Sequence, residues 1–362
     1  MSNPASPSAR LEDHYRFPVL HIMRCLAGLG IFAAHWGEPY GARTVIQFQL
    51  AVDFFFFLEG FFAARYLGLV GGGKGCTQGP AERLIRIYPL YSLGLMLGAV
   101  AWVLNGWSTA LFEFPGALGK GAVFWPTFSA LAGGAAFPLN PPSWAIALEF
   151  WAFVILWLAR RRLRLATLGV LWTFSTAAML ALAVHWHDIN MGWEGKHYWG
   201  GLPRMMVGFS GGLCLACAIE RFPPTLLQRI PRPHPLLAVA AAVAVHYLRI
   251  PLVALPLQLV GVPLVVLIGA LATRLAWIDR LGHWAHRNAY SIYLTHYPVM
   301  TLCHAAVLAL RIPAYWSGSP LGFIATAAIV LTAAQFTTLI IDEPLQRWFA
   351  DQPRNTKKEP TG

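Results

Sequence analysis

The sequence predicts an all-α polytopic membrane protein, a bundle of about ten transmembrane helices with both termini in the cytoplasm. Three observations carry this expectation. Of 362 residues, 57% are hydrophobic and only 12% charged, whereas soluble domains carry roughly 25% charged residues. Mean hydropathy is +0.53. Apolar runs of about 18 residues or more, long enough to cross the hydrocarbon core of a bilayer, recur along the whole chain. A soluble core could not absorb them, because helices at its surface need a polar face.

Taken in order, the expected spans are 18–36, 47–69, 85–105, 143–159, 165–185, 203–220, 235–250, 252–273, 287–310 and 320–341. Only Pro251 separates the seventh from the eighth. The apolar stretch 121–136 is too short and too rich in Gly and Pro to span, and is expected to be re-entrant or interfacial. Residues 17–345 then form one membrane domain between tails 1–16 and 346–362. The first apolar run exceeds the usual length of a signal-peptide core, so the first helix is expected to stay as an uncleaved anchor.

The net charge of +11 is distributed as short basic clusters between apolar runs. That is the arrangement of membrane loops, not of a nucleic-acid-binding face, so no nucleic-acid partner is expected. With the N-terminus in the cytoplasm, Arg83, Arg86, Arg160, Arg161, Arg162 and most other cations lie inside. Arg43, Lys120, Lys196, Arg249 and Arg311 lie outside. This asymmetry follows the positive-inside rule and requires an even number of spans. Cys214 and Cys217 form a CxxC within a span and without a second pair, which reads as packing. No metal site is expected.

Ionisable residues within spans are the informative ones, because each is expensive in a bilayer. Arg24 and His35 lie eleven residues apart on the first span, about three turns and about 16 Å of rise, on one side of the helix. Arg24 could hold an anion or snorkel to the interface; His35 could act as a base or pack. Glu38 and Asp53 are expected near the depth of His35, where a carboxylate could fix its tautomer. Glu149 is an acid in an apolar run and is expected at the same depth. Arg83 and Arg86 open the third span on one face, where two guanidinia and helix-end amides suit phosphate. Ordinary loop charge would also place them there. His296, followed closely by Pro298, reads as structural or catalytic. Trp186, Trp193, Tyr198 and Trp199 suit sugar stacking or an interfacial aromatic belt.

These segments together resemble the acyltransferase-3 family of membrane O-acyltransferases, in the family's order over nearly the whole chain. Arg24 and His35 are similar to its Arg-x10-His pattern. Val52-Asp53-Phe54-Phe55-Phe56-Phe57-Leu58-Glu59-Gly60-Phe61 resembles VDLFFVLSGF, with Glu59 where Ser is usual. Arg83-x-x-Arg86-Ile87-Tyr88-Pro89-x-Tyr91 resembles RxxRIxPxY. Trp144-x4-Glu149 resembles WSLSVE, with Ala145 for Ser. Ser291-Ile292-Tyr293-Leu294-Thr295-His296-Tyr297-Pro298 resembles SxYLxHxP.

The resemblance implies a cytoplasmic acyl-CoA donor, with acetyl-CoA expected, and an acceptor hydroxyl on a cell-envelope carbohydrate or glycolipid. It also implies a place in the bacterial inner (cytoplasmic) membrane, with membrane lipid as partner. Arg24, Arg83 and Arg86 are then expected to hold the CoA phosphates and His35 to deprotonate the acceptor. Asp53, Glu38 or Glu149 would orient His35, and Trp144, His296, Trp193 and Trp199 would contact substrate. Direct attack and an acyl-histidine intermediate both stay open. The rival class is a secondary transporter or flippase for a sugar- or lipid-linked substrate. Transporters often carry inverted repeats, and none is visible.

Overall fold

The structure, a computed structural model, describes residues 17–36, 49–71, 79–105, 113–128, 134–223, 229–247, 257–313 and 318–351, with Thr225 and Leu255. Helix α1 spans Pro18–Trp36, α2 Gln49–Tyr66, α3 Pro80–Leu104 and the short α4 Phe114–Ala122. Then follow α5 (Ser143–Ala159), α6 (Leu165–Trp186), α7 (Gly201–Arg221), α8 (Pro235–Tyr247) and α9 (Val262–Leu271). The last three are α10 (Ala276–Ala309), α11 (Pro320–Thr337) and α12 (Glu343–Asp351). Among the described residues no strand occurs, and the extended pairing is a single antiparallel bridge between Ala135 and Glu194.

Seven helices are long and apolar enough to cross a membrane. Helices stand at all ten expected positions, but three fall short of that standard for visible reasons. Helix α2 carries Asp53, Glu59 and Arg65 within its 18 residues. The apolar stretches at α8 and α9, Pro235–Val245 and Leu257–Leu271, are shorter. Helix α10 begins eleven residues before the expected 287, because its first turns are amphipathic rather than apolar. At 34 residues it rises about 51 Å, well beyond a hydrocarbon core of about 30 Å. Of the stretch 121–136, residues 129–133 lie outside the description. Residues 121 and 122 close α4, Phe124 takes a positive φ, and Ala135 makes the bridge to Glu194.

Contacts sort the helix ends into two groups. At one end, Gly282 meets Pro18, Gly79 meets Trp157, and Thr273 N–H donates to the Pro233 carbonyl over 3.0 Å. This end carries Arg160–Arg162 and is called the basic end below. At the opposite end, Asn105 Nδ2 donates to the Thr301 carbonyl over 3.3 Å. Helix α1 packs mainly on α10, and α2 on α7. Helix α6 is apolar all round and exposes Val170, Phe174 and Val184, each by at least 70%, as a lipid-facing helix does.

Glycines let α2 and α7 touch backbone to backbone. A Cβ on Gly60 would overlap the Phe209 carbonyl, and one on Gly212 the Phe57 carbonyl. Gly208 and Gly212 place this contact on a small-x-x-x-small stripe, the usual device for close helix approach in lipid. Gly212→Val is therefore expected to force the pair apart at about 1–3 kcal/mol of overpacking. Its thermal midpoint in detergent should fall by several degrees; an unchanged midpoint would mean that the helices do not meet there.

Pro298 lies inside α10 and has no amide hydrogen, which leaves the Leu294 carbonyl without its helical donor. Asn140 Nδ2 donates to that carbonyl over 3.0 Å. The segment before α5 is thereby pinned to the middle of α10, next to His296.

Candidate active site

Two clusters of polar side chains lie inside the bundle, and α1 reaches both. Nearer the basic end, four helices contribute one ion each. Arg24 of α1 pairs with Glu59 of α2. Arg83 of α3 contacts the other Glu59 oxygen at 3.2 Å and also pairs with Glu149 of α5. The Arg83 guanidinium stacks over Phe153, 4.5 Å from the ring centre. Two cations and two anions balance, which is what makes so buried a set tenable, since an isolated ion there would cost several kcal/mol. Arg86, one turn beyond Arg83, donates through Nη1 to the Tyr66 hydroxyl over 3.4 Å.

Not every polar atom of this cluster finds a hydrogen-bond partner. Arg24 Nε, Arg83 Nε and the Tyr290 hydroxyl are buried and make no hydrogen bond among the described residues. The Arg24 guanidinium lies 5.9 Å from the centre of the Tyr290 ring.

Eleven residues along α1, about 16 Å away, His35 meets α10. Its ring lies nearly parallel to that of His296, centres 5.8 Å apart and planes at 27°, and edge-on to Tyr297 at 5.2 Å. His35 is half-buried and His296 fully buried. His296 Nδ1 approaches the carbonyls of Tyr293 at 2.7 Å and Ile292 at 3.2 Å. Carbonyls only accept, so Nδ1 carries the hydrogen and, in the neutral ring, Nε2 carries the lone pair. That Nε2 is buried and makes no hydrogen bond among the described residues.

The opposite end of the bundle is closed by the segment between α6 and α7. Arg204, on the first turn of α7 and 1% exposed as a side chain, grips Asp53 through Nε at 2.8 Å and Nη2 at 3.3 Å. Its Nη1 donates to Asn190 Oδ1 and the Met191 carbonyl, both at 3.0 Å. Gly192 then adopts φ +113°, and Trp144 leaves no room there for a Cβ. The Ala136 amide donates to the Trp193 carbonyl over 2.8 Å, tying this segment to the chain before α5.

Several expected placements change. Asp53 is committed to Arg204, so its carboxylate is not at the disposal of His35. Glu149 lies at the depth of Arg24 rather than of His35, because Arg83 bridges it to Glu59, which holds Arg24. Arg24 and Arg83 are ion-paired rather than bare, and Arg86 hydrogen-bonds Tyr66 beside them. Trp144 is 5% exposed and packs under the closing segment. Trp193 is half-buried, whereas Trp199 is 54% exposed and meets Trp125 edge-on. Glu38 lies outside the described residues. Arg204, Tyr290 and Asn140 carry more of the site than their sequence positions suggest. For Arg204 the signal was available: it is an intramembrane arginine close to an aromatic-rich segment.

A multi-pass helical bundle with a balanced ionic cluster below a facing histidine pair is the class that fold and site define. The acyltransferase-3 family model, described as an acyltransferase domain, matches residues 17–337, and the chain belongs to that family. No curated protein and no solved structure matches it.

Proposed function

We propose that the protein is a membrane O-acyltransferase of the bacterial inner membrane. It would transfer an acyl group, acetyl in the simplest case, from cytoplasmic acyl-CoA to a hydroxyl of an envelope carbohydrate or glycolipid. The observation that carries this reading is the polarity of α1. Arg24 sits in the ionic cluster toward the basic end, and His35 stands on nearly the same face toward the other. An anionic donor arriving from the basic side and a neutral acceptor from the far side would meet along that line.

In the reaction, His35 accepts the proton of the acceptor hydroxyl as its oxygen attacks the thioester carbonyl. The new C–O bond forms, the C–S bond breaks, and the CoA thiolate takes the proton back from the imidazolium. Arg24, Arg83 and Arg86 supply positive charge for the donor phosphates. The fixed tautomer of His296 leaves a lone pair on the buried Nε2 of a ring stacked on His35. Trp199 and Trp193 offer aromatic surface for the sugar.

The test uses purified protein in lipid nanodiscs with radiolabelled acetyl-CoA and an envelope glycan fraction. Base-labile radiolabel on the glycan, dependent on the protein, is the expected result. Absence of transfer with acetyl-, propionyl- and longer acyl-CoA donors would overturn the reading in favour of transport.

A further inference from the structure

We propose that Glu59 is a competing counter-ion built into the donor site. Its carboxylate occupies, on Arg24 and Arg83, the position that an anionic group of the donor must take, so it sets how tightly the donor is held. This rests on the reading of the protein as an acyl-CoA-dependent enzyme and concerns the same ionic cluster.

Three observations support it. First, Glu59 divides its carboxylate between two arginines from different helices, one oxygen for Arg24 and the other for Arg83. Glu149 holds Arg83 alone. Glu59 is thus the group that any anion addressing both arginines must displace or share. Second, the side chains of Arg24, Glu59 and Arg83, though largely buried, are 13%, 10% and 9% exposed, against 5% for Glu149. Third, the cluster holds buried donors that no acceptor reaches. Arg24 Nε, Arg83 Nε and the Tyr290 hydroxyl are buried without hydrogen-bond partners among the described residues. Tyr290 also lies within electrostatic reach of all four ions. An acceptor-rich anion such as a phosphate would satisfy donors that two carboxylates leave over.

The charge arithmetic fixes the direction of the effect. With Glu59 ionised, the four contacting ions Arg24, Arg83, Glu59 and Glu149 sum to zero, and Arg86 acts on Glu59 from beside them. Removing the Glu59 charge leaves the cluster at +1 in a medium where charge is poorly screened. Anion binding should then tighten, whereas general structural damage would weaken it. Glu59→Gln preserves shape and an acceptor oxygen; Glu59→Ser removes the group from between the arginines.

The experiment measures free coenzyme A binding by calorimetry to wild type, Glu59→Gln and Glu59→Ser in phosphatidylcholine nanodiscs. At least tenfold tighter binding by either variant is expected, with a larger coenzyme A-induced rise in thermal midpoint. Wild type binding at least as tightly as both variants would overturn the role of Glu59 alone. No binding by any of the three would overturn the donor reading with it. A repeat in nanodiscs containing phosphatidylglycerol separates sources of phosphate. Tightening abolished by the anionic lipid would assign the cluster to a lipid headgroup and overturn the proposal.

Discussion

His35→Ala should lower the rate of acyl transfer by about 10³-fold, within the ~10²–10⁴ that a positioned general base contributes. The imidazole is half-buried and sits at the end of α1, so the variant should keep its thermal midpoint within a few degrees. A loss of rate without a loss of fold is what separates chemistry from packing here. His296→Ala makes the necessary comparison. Its ring is fully buried and held by two carbonyls of its own helix, so its removal opens a cavity and lowers stability as well as rate. The outcome that would move the base is specific: near-normal transfer by His35→Ala together with inactive but folded His296→Asn. The lone pair on His296 Nε2 would then be the proton acceptor, with His35 its neighbour.

The pattern of apolar runs made much of this bundle legible, and the reason can be seen residue by residue. Helices α1 and α5 begin and end where the apolar runs do, and Arg160–Arg162 mark the place where the chain leaves the hydrocarbon after α5. Lipid and charge alone decide such boundaries. Helix α10 escaped in its first eleven residues because an amphipathic helix outside the bilayer has no long apolar run to announce it. The partners within the bundle were not legible at all. Asp53 and Arg204 are 151 residues apart, and Arg83 and Glu149 are 66 apart. Which arginine meets which carboxylate depends on the lateral order of the helices, on which hydropathy is silent. Proximity in sequence and expected depth therefore assigned Asp53 and Glu149 to His35, while packing gave each to an arginine.

Arg83 is where that hidden order should matter most for stability. Arg83→Ala would leave Glu149 buried with no cation in contact and Glu59 with Arg24 alone. Breaking a buried pair by removing one partner costs about 3–5 kcal/mol, and both side chains here are less than one-tenth exposed. The variant should unfold far earlier than wild type in a thermal or denaturant series, or fail to accumulate in the membrane. The double variant Arg83→Met, Glu149→Leu removes both charges and refills the space with apolar volume. It should recover most of the lost stability, since a hydrophobic replacement of a whole buried pair is often neutral. It should nonetheless stay inactive, because Arg83 can no longer face the donor. The cycle formed by the two single variants and the double gives the coupling directly. A coupling near zero, with Arg83→Ala as stable as wild type, would mean that water reaches the cluster and screens it. A stable, inactive double variant would show instead that the bundle tolerates the loss of these charges, and that the arginine is kept for the substrate it meets.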